Sequence, residues 1–104
     1  MPDLFSATVN PIFMFTDSHC HLASHKFSAE ELGEIISRAR QHGVNRMVTL
    51  ATNLDDCPAN LSIAANHSEV YACMGIHPCD VHETPDDFLE PLEDFARHPR
   101  CVAI

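Results

Sequence analysis

Apolar runs at 12–15, 46–51, 70–74 and 101–104 alternate with three stretches patterned for helices, and this alternation limits the fold more than any other feature. The connections between runs are far too long for hairpins. A βαβαβαβ order of this kind requires parallel strands joined by right-handed crossovers, with helices covering the sheet. The class is therefore α/β. Periodicity by itself leaves open whether the sheet is flat or curves toward a barrel.

Each element has its own local signal. Ile12-Phe13-Met14-Phe15 reads as a short buried strand. Ser28 followed by Glu31 is a capping box, Leu32, Ile35, Ile36 and Ala39 recur at helical spacing, and Gly43 supplies a left-handed stop. Arg46-Met-Val-Thr-Leu-Ala51 is the nearly continuous apolar run of a strand buried on both faces. The acidic segment 53–56 suits a helix N-terminus, with Pro58 in the first turn and Leu61, Ala64 and Ala65 on the buried side. Val70 to Met74 is the third strand. Thr84-Pro85 is expected to open a third helix, with Pro91 dividing it into a short turn and a helix from about 91 to 97. Its buried side is Phe88, Leu92, Phe95 and Ala96. Cys101 to Ile104 begins a fourth strand.

In parallel α/β folds, ligands bind at the carboxyl ends of the strands. The polar residues follow that rule: strand one ends in Asp17-Ser-His-Cys-His21, strand two in Thr52-Asn53, strand three in Gly75-Ile-His77-Pro-Cys79-Asp80. His19 and His21 are two apart, so a regular strand presents both imidazoles on one side, as a pair of metal ligands requires. Asp17 shares that parity and is expected to accept from one of the rings. The competing reading has one histidine packed and the other solvated. His77, stiffened by Pro78, suits substrate contact, proton transfer or support of the site; a backbone-bonded loop histidine is its bland alternative. Cys79 is a further zinc donor only in company with His77. Histidines 25, 42, 67, 82 and 98 are expected to lie on helix ends or loops without partners, and the acidic residues from Glu83 to Asp94 to form a solvated face.

The net charge of −9 weighs against a basic groove for nucleic acid or an anionic membrane, so any handling of phosphate here falls to metal ions. No run reaches the roughly 20 apolar residues of a membrane span. Five cysteines with no CxxC pair read as reduced thiols in a cytoplasmic protein.

FTDSHCHL, ARQHGVNRMV, GIHPCDVHET and HPRCVAI together resemble the start of the TatD family of metal-dependent hydrolases, from about Met14 to Ile104. The resemblance implies a TIM-type (β/α)8 barrel, here about three and a half β/α units. Residues 1–13 then form a loose leader, and 14–104 an N-terminal portion of the barrel truncated in the fourth strand. It implies two divalent ions (Mg, Mn or Zn) at the barrel mouth, with His19 and His21 as metal ligands and His77 near a substrate phosphate. The activity it implies is that of a deoxyribonuclease, 3′–5′ exonuclease-like, in which a two-metal-activated water cleaves phosphodiester bonds. Nucleic acid is then the substrate, and another segment or chain supplies the missing barrel half with the remaining ligands. An amidohydrolase acting on C–N bonds also uses HxH on its first strand. A non-catalytic remnant is the third reading.

Overall fold

The computed structural model describes residues 14–24 and 26–104. The elements are β1 (Phe15–Cys20), α1 (Ala29–Gln41), β2 (Val44–Leu50), α2 (Cys57–Asn66), β3 (Val70–Cys73), a 3₁₀ helix (Pro78–Glu83), α3 (Leu89–Ala96) and β4 (Cys101–Ala103). The four strands form one sheet in the order β1-β2-β3-β4, and every pair is parallel.

Strand order and burial together resolve the question that periodicity left open. Met47, Thr49, Val70, Ala72 and Met74 are buried, whereas the alternate residues Val48, Leu50, Tyr71 and Cys73 are half-buried. Side chains alternate across a strand, so one face carries the dry layer. Leu32 and Ile36 of α1, Cys57, Leu61 and Ala64 of α2 and Leu92 of α3 complete that layer. Sequential strand order with all helices on one face is the arrangement of a (β/α) barrel, whose helices lie outside. A doubly wound sheet would reverse its order at a switch point and carry helices on both faces.

The expectation that β2 is buried on both faces therefore fails for the half-buried side. The first apolar run also departs from expectation. Ile12 and Phe13 fall outside the described residues, as do the rest of the expected 1–13 leader and His25. β1 itself is exposed along almost its whole length, because it is an edge strand with β2 as its neighbour.

The helix boundaries follow local chemistry. The Ser28 hydroxyl accepts the Glu31 amide at 3.1 Å to open α1, and Gly43 closes its far end at φ 88°. Pro58 lies in the first turn of α2, as expected. Ala65 is exposed, and the buried stripe of α2 is instead Cys57, Asn60, Leu61 and Ala64. The third helix starts at Leu89 rather than at Thr84-Pro85. Thr84 closes the preceding 3₁₀ helix: its amide donates to Val81 and its hydroxyl donates to the Asp80 carbonyl at 2.8 Å. The expected division into a short turn and a helix is present, as a turn at 86–88 followed by α3, but it falls two residues before Pro91, which sits at the third position of the helix, where its missing N–H would have had no intrahelical partner.

At the amino ends of the strands Arg100 acts as a clamp. It donates to the carbonyls of Ala64, His67, Ser68 and Val70, thereby bonding the last turn of α2 and the start of β3 to the start of β4. Among the described residues no helix is long and apolar enough to cross a membrane.

Candidate metal and substrate site

His19 and His21 lie at the carboxyl end of β1 with ring centroids 5.2 Å apart and ring planes at 78°. Their orientation depends on a β-bulge. Asp17 aligns with Met47 and Cys20 with Thr49, three steps along β1 against two along β2. Met47 and Thr49 share the helix-covered face, so Asp17 and Cys20 lie on that side. The two histidines then project from the opposite face, which in a barrel is the interior.

The bulge changes the role expected for Asp17. The carboxylate is not on the parity of the rings. Its Oδ1 accepts the backbone N–H of His19 at 3.1 Å, pairing an amide where the ladder is interrupted. Cys20, between the histidines, turns into the helical layer and donates from Sγ to the Val48 carbonyl at 3.3 Å. Burial, and then the charge of Asp17, push its thiol up to about 11. It is a neutral, inward-facing thiol and not a donor for an ion held by the rings.

The His21 ring is anchored to the next strand: Nδ1–H donates to the Leu50 carbonyl at 3.3 Å, which leaves the Nε2 lone pair free. A cleft of about 320 Å³ opens beside it, lined by His21, Ala23, Ser24, Leu50, Thr52, Asn53 and Asp56. The floor of the cleft is organised by Asp56. Its carboxylate accepts from the Thr52 amide, the Thr52 hydroxyl and the Asn53 amide at 3.0–3.3 Å. The Asn53 side chain accepts the Asp56 amide at 2.9 Å.

His77 is tied to the same segment, since its amide donates to the Thr52 carbonyl at 2.7 Å. Its ring caps the 3₁₀ helix by accepting the Cys79 N–H on Nδ1 at 3.0 Å. A nitrogen that accepts carries no proton, so the ring proton is on Nε2, which is free to donate. Leu50, at the end of β2, thus receives His21, and Thr52, two residues on, receives His77.

Two imidazoles furnish two nitrogen donors, and a catalytic zinc normally takes three protein ligands. Among the described residues no group of three or more His, Cys, Asp or Glu is placed to hold a metal ion. The pair by itself therefore fits only part of a metal centre. Among the described residues Cys79 does not complete a set with His77.

Three of the histidines expected to be without partners have them. His42 donates from its ring to the Arg38 carbonyl at 2.8 Å, the His98 ring accepts the Arg100 amide at 3.0 Å, and His82 lies 3.6 Å from the Glu83 carboxylate. The acidic residues Glu83, Asp86, Asp87, Glu90, Glu93 and Asp94 are exposed, as expected.

Sequence reasoning missed Thr49 and Asn60, both fully buried. The Thr49 hydroxyl donates to Asn60 Oδ1 at 2.6 Å. The signal was present: each is a polar residue inside an apolar stripe, Thr49 in the run of β2 and Asn60 between Cys57, Leu61 and Ala64.

Comparison with known proteins bears on the family and the fold. Residues 16–104 match the model of the TatD related DNase family. The uncharacterized metal-dependent hydrolase YjjV of Escherichia coli K12 is 34% identical over 92 residues, covering 88% of this chain and 35% of that protein. The 3′-5′ ssDNA/RNA exonuclease TatD of Edwardsiella piscicida is 32% identical over 89 residues, covering 85% of this chain and 34% of that protein. The crystal structure of YjjV, a TatD homolog from E. coli, superimposes with a TM-score of 0.78 at 33% identity, covering 88% of this chain and 36% of that one. The chain spans about a third of the length of these curated relatives. Its four parallel strands and outer helices form part of a TIM-type barrel, and the chain belongs to the TatD related DNase family.

Proposed function

We propose that this chain supplies His19 and His21 as ligands of a divalent metal centre in a TatD-type hydrolase that cleaves phosphodiester bonds of DNA from the 3′ end. The observation that carries this reading is the pair of adjacent imidazoles in edge contact, with centroids 5.2 Å apart, at the carboxyl end of a barrel strand in a member of this family. Nuclease relatives such as the Edwardsiella exonuclease support DNA as the substrate class. Bound divalent ions, two in the complete site, would polarise the scissile phosphate and activate water for attack.

The chain's own residues act around that chemistry. His21 is held by the Leu50 carbonyl in the tautomer whose Nε2 can ligate. His77 offers Nε2–H to a phosphate oxygen, with its other nitrogen occupied by the Cys79 amide. The net charge of −9 weighs against a basic groove for a polyanion, which favours cations at the mouth as the means of holding it. The five unpaired thiols support a reducing compartment, the cytoplasm.

Titration with Mn²⁺ is expected to broaden the imidazole resonances of His19 and His21 together, and H21A to lose the effect at His19 as well. With the barrel complete, 3′-labelled single-stranded DNA is expected to be shortened, and H19A/H21A to lose at least a hundredfold in rate, of the order seen when metal ligands or their supports are removed. Unmoved rings would end the metal assignment, and intact DNA beside metal-bound rings would end the nuclease assignment.

A further inference from the structure

Thr49 and Asn60 are both 0% exposed in an otherwise apolar layer. A buried hydroxyl and amide cost free energy unless every group is bonded, and an apolar pair of the same shape would fill the space but leave the Leu22 amide without its acceptor. Their bonds have a direction. The Leu22 amide, next to His21, donates to the Thr49 hydroxyl at 3.0 Å. That hydroxyl donates to Asn60 Oδ1 at 2.6 Å, and Asn60 Nδ2 donates to the Asp56 carbonyl at 2.9 Å. The Asp56 carboxylate in turn gathers Thr52 and Asn53, and the Thr52 carbonyl receives the His77 amide at 2.7 Å. A continuous chain of contacts thus begins beside one candidate site histidine and ends at the other.

We propose that Thr49 and Asn60 are positioning residues, which hold the turn after β1 so that the His21 ring stays in edge contact with that of His19, and which join that turn to the segment carrying His77. The proposal deepens the metal-site reading and rests on it for its functional meaning. β1 is an exposed edge strand, and a bulge interrupts its ladder just before the histidines. The ladder by itself therefore constrains the ring pair weakly, and on the dry side of the sheet the Leu22–Thr49 bond anchors the residue after His21, as the Cys20–Val48 bond anchors the residue before it. Leu22 is 6% exposed, so its side chain reinforces the same anchor.

The test compares T49S, which keeps the hydroxyl, with T49V/N60L, which replaces the bonded pair by apolar groups of similar size and leaves no orphaned partner between them. Three quantities are read on the 104-residue chain: the His19–His21 ring-to-ring NOE without metal, hydrogen exchange of the Leu22 amide, and Zn²⁺ affinity from the imidazole resonances. T49V/N60L is expected to lose the NOE, to speed Leu22 exchange relative to neighbouring β2 amides, and to bind Zn²⁺ about 10–100-fold more weakly, as when ligand supports are removed. T49S is expected to stay within about twofold of the parent in all three, the range for a retained hydrogen bond. A folded T49V/N60L with parental NOE, exchange and affinity would overturn the proposal. If T49V/N60L does not fold, T49S decides: loss of the NOE or of Leu22 protection with the hydroxyl retained overturns it. Should Zn²⁺ leave both rings of the parent unmoved, the metal reading fails, while the two metal-free measurements still judge the positioning claim.

Discussion

The guanidinium of Arg100 stands 4.2 Å from the centroid of the Tyr71 ring, so the residue that clamps the end of α2 is also stacked on the neighbouring strand. A planar fork can serve several carbonyls and an aromatic face together, and a lysine ammonium cannot. R100K is therefore expected to lower stability by about 1–2 kcal/mol, and R100A by about 2–4 kcal/mol, in urea melts. The clamp lies at the amino ends of the strands, so R100K is expected to leave metal titration of the histidine rings unchanged.

Glu69 lies at the same end, with Arg40 3.5 Å from its carboxylate. Burial raises its carboxyl, but its own backbone amide, the Ser68 hydroxyl and the Arg40 charge together outweigh that and hold it below the usual range. A depressed folded value stabilises the protein above the unfolded pKa, and the stabilisation is lost as pH falls through the folded one. E69Q is expected to cost about 0.5–1 kcal/mol at pH 7. Melts at successively lower pH should show parent and variant begin to converge as pH falls below the ordinary carboxylate value, about 4.3, and meet once Glu69 is protonated in the folded protein as well.

The thiols should separate by reactivity. Burial first, and the Asp56 charge second, push Cys57 up to about 11, and its side chain has no exposed surface. Cys79 is exposed. Iodoacetamide at pH 8 followed by peptide mass mapping is expected to label Cys79 first, and Cys57 only in denaturant. The raised values of Cys20 and Cys57 favour the folded state below pH 9, the value of an unperturbed thiol, and that contribution is lost as pH rises through about 11. Alkaline melts should show this loss, and C57A should reduce it.

The order of elements was legible because each helix repeats its apolar residues along one stripe and each strand is a short apolar run. Ser28 and Gly43 announced the ends of α1 through side-chain and backbone chemistry that operates within a few residues. Thr84-Pro85 misled because a threonine before a proline suits either the start of a helix or the close of a preceding turn. Which of the two forms depends on whether the hydroxyl accepts or donates, and here it donates back to Asp80. The histidines were visible as a motif, but the rotation that separates them from Asp17 comes from pairing with β2, a relation between distant parts of the chain. Thr49 and Asn60 were hidden for a similar reason: eleven residues separate them, and each alone looks like a tolerated impurity in an apolar stripe.

The bulge in β1 also bears on transplantation. Asp17-Ser-His-Cys-His21 carries one residue more than its partner strand matches, and the histidines face the barrel interior only because β2 accommodates the surplus. Grafted onto a straight strand of another scaffold, the same five residues would bring the Asp17 carboxylate round to join both imidazoles. The borrowed peptide would then present three candidate ligands instead of two, with a different preferred ion and geometry.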